Sequence, residues 1–337
     1  MTHELVNIFE AFEKASIENI KTVLATVVDL DGSSYRRPGV RMLIMENGLM
    51  VGAVSGGCVE KEVARQAQEV FETDRAKMMT YDGRYRLGCE GVLYILIEPF
   101  NPKKVLSAML KECLDKRDIF EITSDYVRKE GVNTQLGTTI SFKGNKHYPV
   151  SGIESEKGGE TLTFSQKMKP CFRLLIIGSE HDTVQLCQAA AFTGWDVIVG
   201  CSVKDPKQLS DFPGAKAVTP LSEDLSEITM DDQTAVILMT HNFARDLNYL
   251  IAIKDRFNGY IGLLGSYDRR EKMITQLIEK YPDIDMDFLD NIHGPSGLDI
   301  GAETPQEIAI SIISEVLAFT RKSTPMKLRT KTGRIHS

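Results

Sequence analysis

The feature that most constrains this sequence is an alternation that begins near Cys171. Apolar runs recur at residues 172–177, 196–199, 215–218, 235–239, 259–264 and 287–289. Helical periodicity fills most of the gaps, notably 181–193, 243–257, 267–281 and 304–320. A strand that is apolar at every position must be covered on both faces, and strands separated by helices pair in parallel through crossovers. The second half is therefore expected to be a Rossmann-like, doubly wound parallel-sheet domain.

The first half reads differently. Residues 7–20 have helical spacing, with Ile8, Phe9, Phe12 and Ile17 as the apolar positions. A Val- and Thr-rich strand at 21–28 leads into a turn-rich loop ending at Gly39, and a strand at 40–45 turns tightly through Glu46-Asn47-Gly48 into another at 49–54. A helix opens after Ser55-Gly56-Gly57 and runs to about residue 76 on Val59, Val63, Ala67, Val70 and Phe71, and a buried strand follows at 92–97. A further helix at 105–114 and several strands complete an N-terminal α+β domain. The segment 152–161, rich in Ser, Glu and Gly, reads as a loop or the edge of a linker. The expected divisions are 1–165, 166–322 and a disordered basic tail at 323–337.

Composition narrows the function classes. The chain has 337 residues, enough for two cores, and a net charge of −7, which argues against general nucleic-acid binding. The basic stretch 321–334 is the local exception and reads as a solvated tail. Six widely spaced cysteines fit reduced thiols in the cytoplasm. No apolar run reaches the roughly 18–20 residues of a membrane span, and Met1-Thr2-His3-Glu4 does not begin a signal peptide.

Two stretches carry chemistry. Leu174-Leu-Ile-Ile-Gly178-Ser-Glu-His181 is a strand, a glycine turn and a helix start, where a dinucleotide fold holds its pyrophosphate. The usual second and third glycines are replaced by Glu180 and Thr183, and no acid follows the 196–199 strand to hold a ribose. Both departures predict weak NAD(P) binding. In Ser55-Gly56-Gly57-Cys58, two glycines free the backbone so that N–H groups can converge on an anion. Cys58 falls in the first turn of the following helix, a position that favours the thiolate, the nucleophilic and metal-binding form. A buried structural cysteine after a glycine turn is the competing reading. Cys89, between Gly88 and Gly91, is a candidate second thiol; Cys187 reads as core, and Cys113 and Cys171 flank elements. Arg36 and Arg37 put paired positive charge on the first loop, suited to a phosphate or carboxylate.

Taken together these stretches resemble the XdhC/CoxI family, accessory proteins of molybdenum-containing xanthine and carbon monoxide dehydrogenases. The N-terminal matches are Gly32-Ser-Ser-Tyr-Arg-Arg-Pro-Gly-Val-Arg-Met42, Gly52-Ala-Val-Ser-Gly-Gly-Cys-Val-Glu60 and Gly88-Cys-Glu-Gly-Val-Leu-Tyr-Ile-Leu-Ile-Glu-Pro99. The C-terminal ones are Ile177-Gly-Ser-Glu-His181, Met239-Thr-His-Asn242 with Asp246, Tyr260-Ile-Gly-Leu-Leu-Gly-Ser266 and Gly294-Pro-Ser-Gly-Leu-Asp-Ile-Gly-Ala-Glu-Thr-Pro-Gln-Glu-Ile-Ala309. The chain departs from the family pattern at Glu180 and in having Tyr267-Asp268 where a basic pair commonly follows Gly265-Ser266.

The resemblance implies a chaperone rather than a catalyst. Its cargo would be molybdenum cofactor, as molybdopterin or its cytosine dinucleotide, and its partners a xanthine dehydrogenase-type apoenzyme and a cysteine desulfurase as sulfur donor, with a homodimer left open. The implied cofactor-binding residues are Arg36, Arg37, Gly56, Gly57, Cys58, Cys89, Gly178, His181, His241, Asp246, Gly265 and Ser266, with Cys58 as the metal ligand. An NAD(P)-dependent oxidoreductase and a scaffold without cofactor are the alternatives.

Overall fold

A computed structural model describes residues 1–32, 37–85, 91–144, 146–156 and 159–332. The chain divides into two compact units, Met1–Pro170 and Cys171–Ser337.

The first unit opens with α1 (Thr2–Ile17), β1 (Thr22–Asp31), β2 (Arg41–Met45), β3 (Met50–Gly52), α2 (Cys58–Thr73), β4 (Lys77–Asp82) and β5 (Val92–Pro99). It continues with α3 (Lys104–Asp115), β6 (Phe120–Tyr126), β7 (Gly131–Val132), β8 (Gly137–Phe142), β9 (Lys146–Pro149) and β10 (Leu162–Met168). Two antiparallel sheets result, one ordered β3-β2-β1-β5-β4-β7 and the other β10-β6-β8-β9.

The six-stranded sheet is covered on both faces, so β1 and β2 are buried almost throughout. Val23, Ala25, Met42, Ile44, Ile95 and Ile97 pack on the apolar stripe of α2, which is Val59, Val63, Ala67, Val70 and Phe71 as its spacing predicts. On the other face Leu24 and Leu43 share a core with Leu5, Ile8 and Phe9 of α1, Leu106 and Leu110 of α3, and Ile122 and Ile140 of the second sheet. Ile17, expected on the buried face of α1, is instead 82% exposed at the end of the helix. Cys113, expected only to flank an element, points into this core from α3.

Among these apolar layers Glu98 of β5 is 1% exposed. Burial pushes its carboxyl up to about 7, against the pull of the Thr138 hydrogen bonds and the Arg41 charge. A carboxyl that binds its proton more tightly folded than unfolded destabilises the fold progressively as pH rises from about 4.5 to about 7. The expected loss across that window is about 3 kcal/mol. Urea midpoints measured from pH 5 to 8 should fall in the native protein. They should stay flat over that window in Glu98→Gln, once the remaining carboxylates are allowed for.

The second unit is β11 (Arg173–Ile177), α4 (His181–Phe192), β12 (Asp196–Ser202), β13 (Ala217–Leu221), β14 (Thr234–Leu238), α5 (Phe243–Ile253), β15 (Ile261–Leu263), α6 (Tyr267–Lys280), α7 (Met286–Asp290), β16 (Ile292–His293) and α8 (Pro305–Thr320). All pairings between these strands are parallel and the order is β13-β12-β11-β14-β15-β16, that of a doubly wound dinucleotide fold. Leu174, Ile176, Val197, Val199, Ala235 and Ile237 pack against α4 and α8. Leu175, Ile177, Val236 and Leu238 face α5, α6 and α7.

One expected strand is wrong. Residues 287–289 lie in α7, not in the sheet, because Asp285 caps a short helix by accepting from the Asp287 N–H at 3.0 Å. Phe288 and Leu289 still reach the core from that helix, and the last strand is Ile292–His293. The 152–161 segment connects β9 to β10 within the first unit. In the tail, Leu328–Thr330 forms a 3-10 turn and residues 321–332 are exposed.

Candidate functional site

In a doubly wound sheet, ligands gather beyond the C-terminal strand ends, at the point where strand order reverses. Here that point lies between β11 and β14. Gly178 follows β11 with φ +144°, and a Cβ there would stand 2.4 Å from the Met239 carbonyl oxygen. The glycine is thus demanded by close approach of the two strand ends. His181 starts α4 and is exposed. His241, after β14, has a left-handed backbone at φ +54°, and its Nε2 lies 3.9 Å from Asp182 Oδ2 in the first turn of α4. The two histidines therefore lie along one stretch of the strand-end edge. Gly265, with φ +125°, and Ser266 follow β15, and the Ser266 hydroxyl caps α6 by accepting from the Arg269 N–H.

Asp246 is in a different position from the others. It is 0% exposed on α5. Its Oδ1 accepts from the Thr240 hydroxyl at 2.6 Å, and its Oδ2 from Arg269 Nη2 at 2.7 Å. Arg269 in turn donates from Nη1 to the Leu264 carbonyl at 2.8 Å. Asp246 thus fastens the loop after β14 to the loop after β15, and a fully buried carboxylate with both oxygens engaged supports the edge without facing a ligand. Arg269, which sequence reasoning missed, comes directly after the Tyr267-Asp268 pair.

The last motif is fastened in a similar way. Glu315 of α8 accepts from His293 Nδ1 at 3.1 Å, from Tyr260 Oη at 2.5 Å and from the Gly297 N–H at 2.7 Å. Against the desolvation of a half-buried position, those hydrogen bonds hold Glu315 below the ordinary carboxylate range. Burial, with the Glu315 charge adding to it, pushes the Tyr260 phenol well above its usual value. The rings of Tyr260 and His293 stack at 4.4 Å. Ser311 closes the anchor by donating to the Leu298 carbonyl at 2.6 Å.

In the first unit Gly57 precedes α2 with φ +127°, and Gly56 and Gly57 are exposed. The turn does gather N–H groups on an anion, but the anion is the chain's own. Glu60 Oε1 accepts from Ser55 N at 2.7 Å and Glu60 Oε2 from Gly57 N at 2.8 Å. A glutamate at the third position of a helix reaching back to the cap is a legible signature that the sequence reading passed over. An external anion at these two N–H groups must displace Glu60. Cys58 opens the helix directly after this turn. Arg37 is exposed, whereas Arg36 and Cys89 lie outside the described residues.

The ends of the arginine loop are anchored. Asp29 accepts from Tyr126 Oη at 2.8 Å and Arg128 Nε at 2.9 Å, and Arg41 Nη1 donates to the Gly39 carbonyl at 2.8 Å. A cleft of about 500 Å³ opens elsewhere in this unit, beside the edge of β4, and is lined by Glu62, Gln66, Lys77, Thr80 and Glu130. None of the candidate residues among those described lines it. Lys77 there is paired with Glu69, and the Thr80 N–H donates to Glu130 at 3.0 Å. Among the described residues no cluster of three or more metal-ligating side chains occurs, and no helix is long and apolar enough to cross a membrane.

Glu180 occupies the N-cap of α4 without a side-chain cap bond. A dinucleotide phosphate bound there would face that carboxylate, at a cost on the order of 4 kcal/mol for unit charges about 4 Å apart at an effective dielectric near 20. We expect NAD(P) to bind no tighter than about 1 mM, and a calorimetric Kd in the micromolar range would overturn that.

Comparison with known proteins follows the same division. The XdhC Rossmann domain model matches residues 174–316, and the XdhC and CoxI family model matches residues 18–82. The chain is 29% identical over 328 residues to a Bacillus subtilis protein named as a probable xanthine dehydrogenase subunit, spanning 90% of this chain and 94% of that protein. It is 26% identical over 301 residues to the molybdenum cofactor insertion chaperone PaoD of Escherichia coli, spanning 87% and 82%. A crystal structure described as a xanthine dehydrogenase from Bacillus halodurans has a similar fold, with a TM-score of 0.76 at 24% identity over 97% of this chain and 98% of that one.

Proposed function

Because the chain belongs to the XdhC and CoxI family, we propose that it is a molybdenum cofactor insertion chaperone. It holds the cofactor, assists sulfuration of the metal with sulfur from a cysteine desulfurase, and passes it to a xanthine dehydrogenase-type apoenzyme. The observation that carries this reading is the near full-length alignment with a relative named for cofactor insertion. The donor set supports it. Molybdopterin presents a phosphate, a pterin and a sulfur-held metal, which call for N–H donors, cationic side chains and a soft ligand. Arg36 and Arg37, the N–H group at Gly56, the Gly57 N–H once the cofactor displaces Glu60 from it, and the thiols of Cys58 and Cys89 are the proposed contacts in the first unit. Gly178, His181, His241, Gly265 and Ser266 are those in the second. Asp246 serves there through Thr240 and Arg269. The bound cofactor brings a metal whose terminal ligand can be exchanged for sulfur. This chain's part is to bind its anionic groups, shield it and release it.

The test is to express the protein in cells that make the cofactor and oxidise the purified sample. Molybdopterin-derived Form A fluorescence approaching one equivalent per chain is expected. Bound NAD(P) in its place, or neither ligand, would overturn the proposal in favour of an oxidoreductase or a scaffold respectively.

A further inference from the structure

Among the described residues of the first unit, four buried side-chain atoms have no hydrogen-bond partner: Thr26 Oγ1, Arg41 Nε, Arg41 Nη2 and Glu98 Oε1. They belong to three residues on one face of the six-stranded sheet. Arg41 on β2 stands directly opposite Thr26 on β1. Glu98 on β5 stands opposite Leu24, two residues along the same face from Thr26. Thr26 therefore lies between a guanidinium on one neighbouring strand and a carboxylate on the other. Thr26, Arg41 and Glu98 are 0%, 7% and 1% exposed respectively. The remaining polar atoms of the two charged groups reach the four-stranded sheet. Arg41 Nη1 donates to Gln166 Oε1 on β10 at 2.8 Å, and Glu98 Oε2 accepts from the Thr138 N–H on β8 at 2.9 Å.

Native interiors rarely leave such groups bare, and neighbouring buried polar atoms without protein partners are where internal water resides. The donors and acceptors match a neutral ligand: two N–H groups to donate, a carboxylate oxygen to accept, and a hydroxyl able to do either. We propose that ordered internal water bridges Arg41, Thr26 and Glu98, so that a hydrated charge pair joins the two sheets of this unit. An inorganic anion in the same place would meet the Glu98 carboxylate, which disfavours it. The bridge also holds Arg41, whose other nitrogen fixes the Gly39 carbonyl, and so sets where the arginine loop rejoins the sheet.

Crystallography and denaturation of the full chain test this. A high-resolution crystal structure near neutral pH should show water density about 2.6–3.2 Å from Glu98 Oε1, Thr26 Oγ1 and at least one of Arg41 Nε and Nη2. A crystal soaked in sodium bromide should show no anomalous peak there. Direct Arg41–Glu98 contact without water, or a bromide peak, would overturn the proposal. In solution at about pH 8.5, above the Glu98 titration, Arg41→Met should raise the unfolding constant about 100-fold or more, by leaving a buried carboxylate uncompensated. The double variant Arg41→Met/Glu98→Leu should recover most of that loss. Thr26→Val, removing one water partner, should cost about tenfold or less. Losses for Arg41→Met and Glu98→Leu that simply add would show that the two charges are not coupled, and the bridge would be refuted.

Discussion

Replacing Arg269 with leucine is expected to destabilise the second unit by about 3–5 kcal/mol, because it leaves the fully buried Asp246 carboxylate without its cation. The reverse change, Asp246→Ala, should cost less, about 1–3 kcal/mol. Arg269 keeps a side-chain exposure of 21%, so water can solvate the orphaned guanidinium, whereas Asp246 is sealed. The order of the two variants is thus the informative quantity. The double variant should cost less than the sum of the singles, since the residues share one hydrogen-bonded link. Chemical denaturation of the three proteins measures this directly. If Asp246→Ala is the more damaging single change, a lost Thr240 contact rather than an uncompensated charge dominates.

The parallel sheet was legible because its strands are buried on both faces, and such strands announce themselves as apolar runs. The 287–289 error shows the limit of that signal. A run of two or three apolar residues has no period, and the arbiter was Asp285, whose capping bond makes the segment a helix. The strand β4 escaped notice for the opposite reason. It begins with Lys77, a residue that argues against a buried strand until its Nζ is seen against Gln66 and Glu69 of α2. Side-chain partners across elements, not local preference, make that position tolerable.

The site was legible as residue types in order, but their roles were not. Gly178 and Gly265 could be chosen from sequence, since their backbones require glycine. Asp246 looked like a ligand because nothing in the sequence joins it to Arg269, 23 positions away. The glycine turn before α2 reads as an open anion nest from its glycines alone, and Glu60, three residues on from Gly57, closes it. Arg41 and Glu98 each fell inside a recognised motif, yet neither drew attention, because burial of a charge is a tertiary property.

Cys58→Ser is expected to cost cofactor retention far more than stability. The residue opens α2 immediately after a glycine turn, and helix N-termini favour thiolates and bound anions. A thiol in this position would be a soft ligand for the metal of a cofactor bound at the turn. The turn beside it is already preorganised by Glu60, so replacing the cysteine leaves both of those hydrogen bonds in place. Cys58→Ser nearly preserves volume and should leave the melting temperature within a few degrees, about 1 kcal/mol or less in stability. Molybdopterin retained per chain should fall at least about tenfold, which corresponds to about 1.4 kcal/mol of binding. Cys187→Ser is the control. That thiol is 0% exposed, packs in the core beneath α4, and is pushed up to about 11 by burial. Its replacement puts a smaller, more polar group into this packed core, where the thiol lies 3.6 Å from the Pro213 carbonyl oxygen, and should lower the melting temperature while cofactor retention stays unchanged. Pterin content and thermal melts on the same preparations separate the two effects. Full retention by Cys58→Ser would remove this thiol from the site and turn attention to Cys89 and to the strand ends near Gly178 and His241.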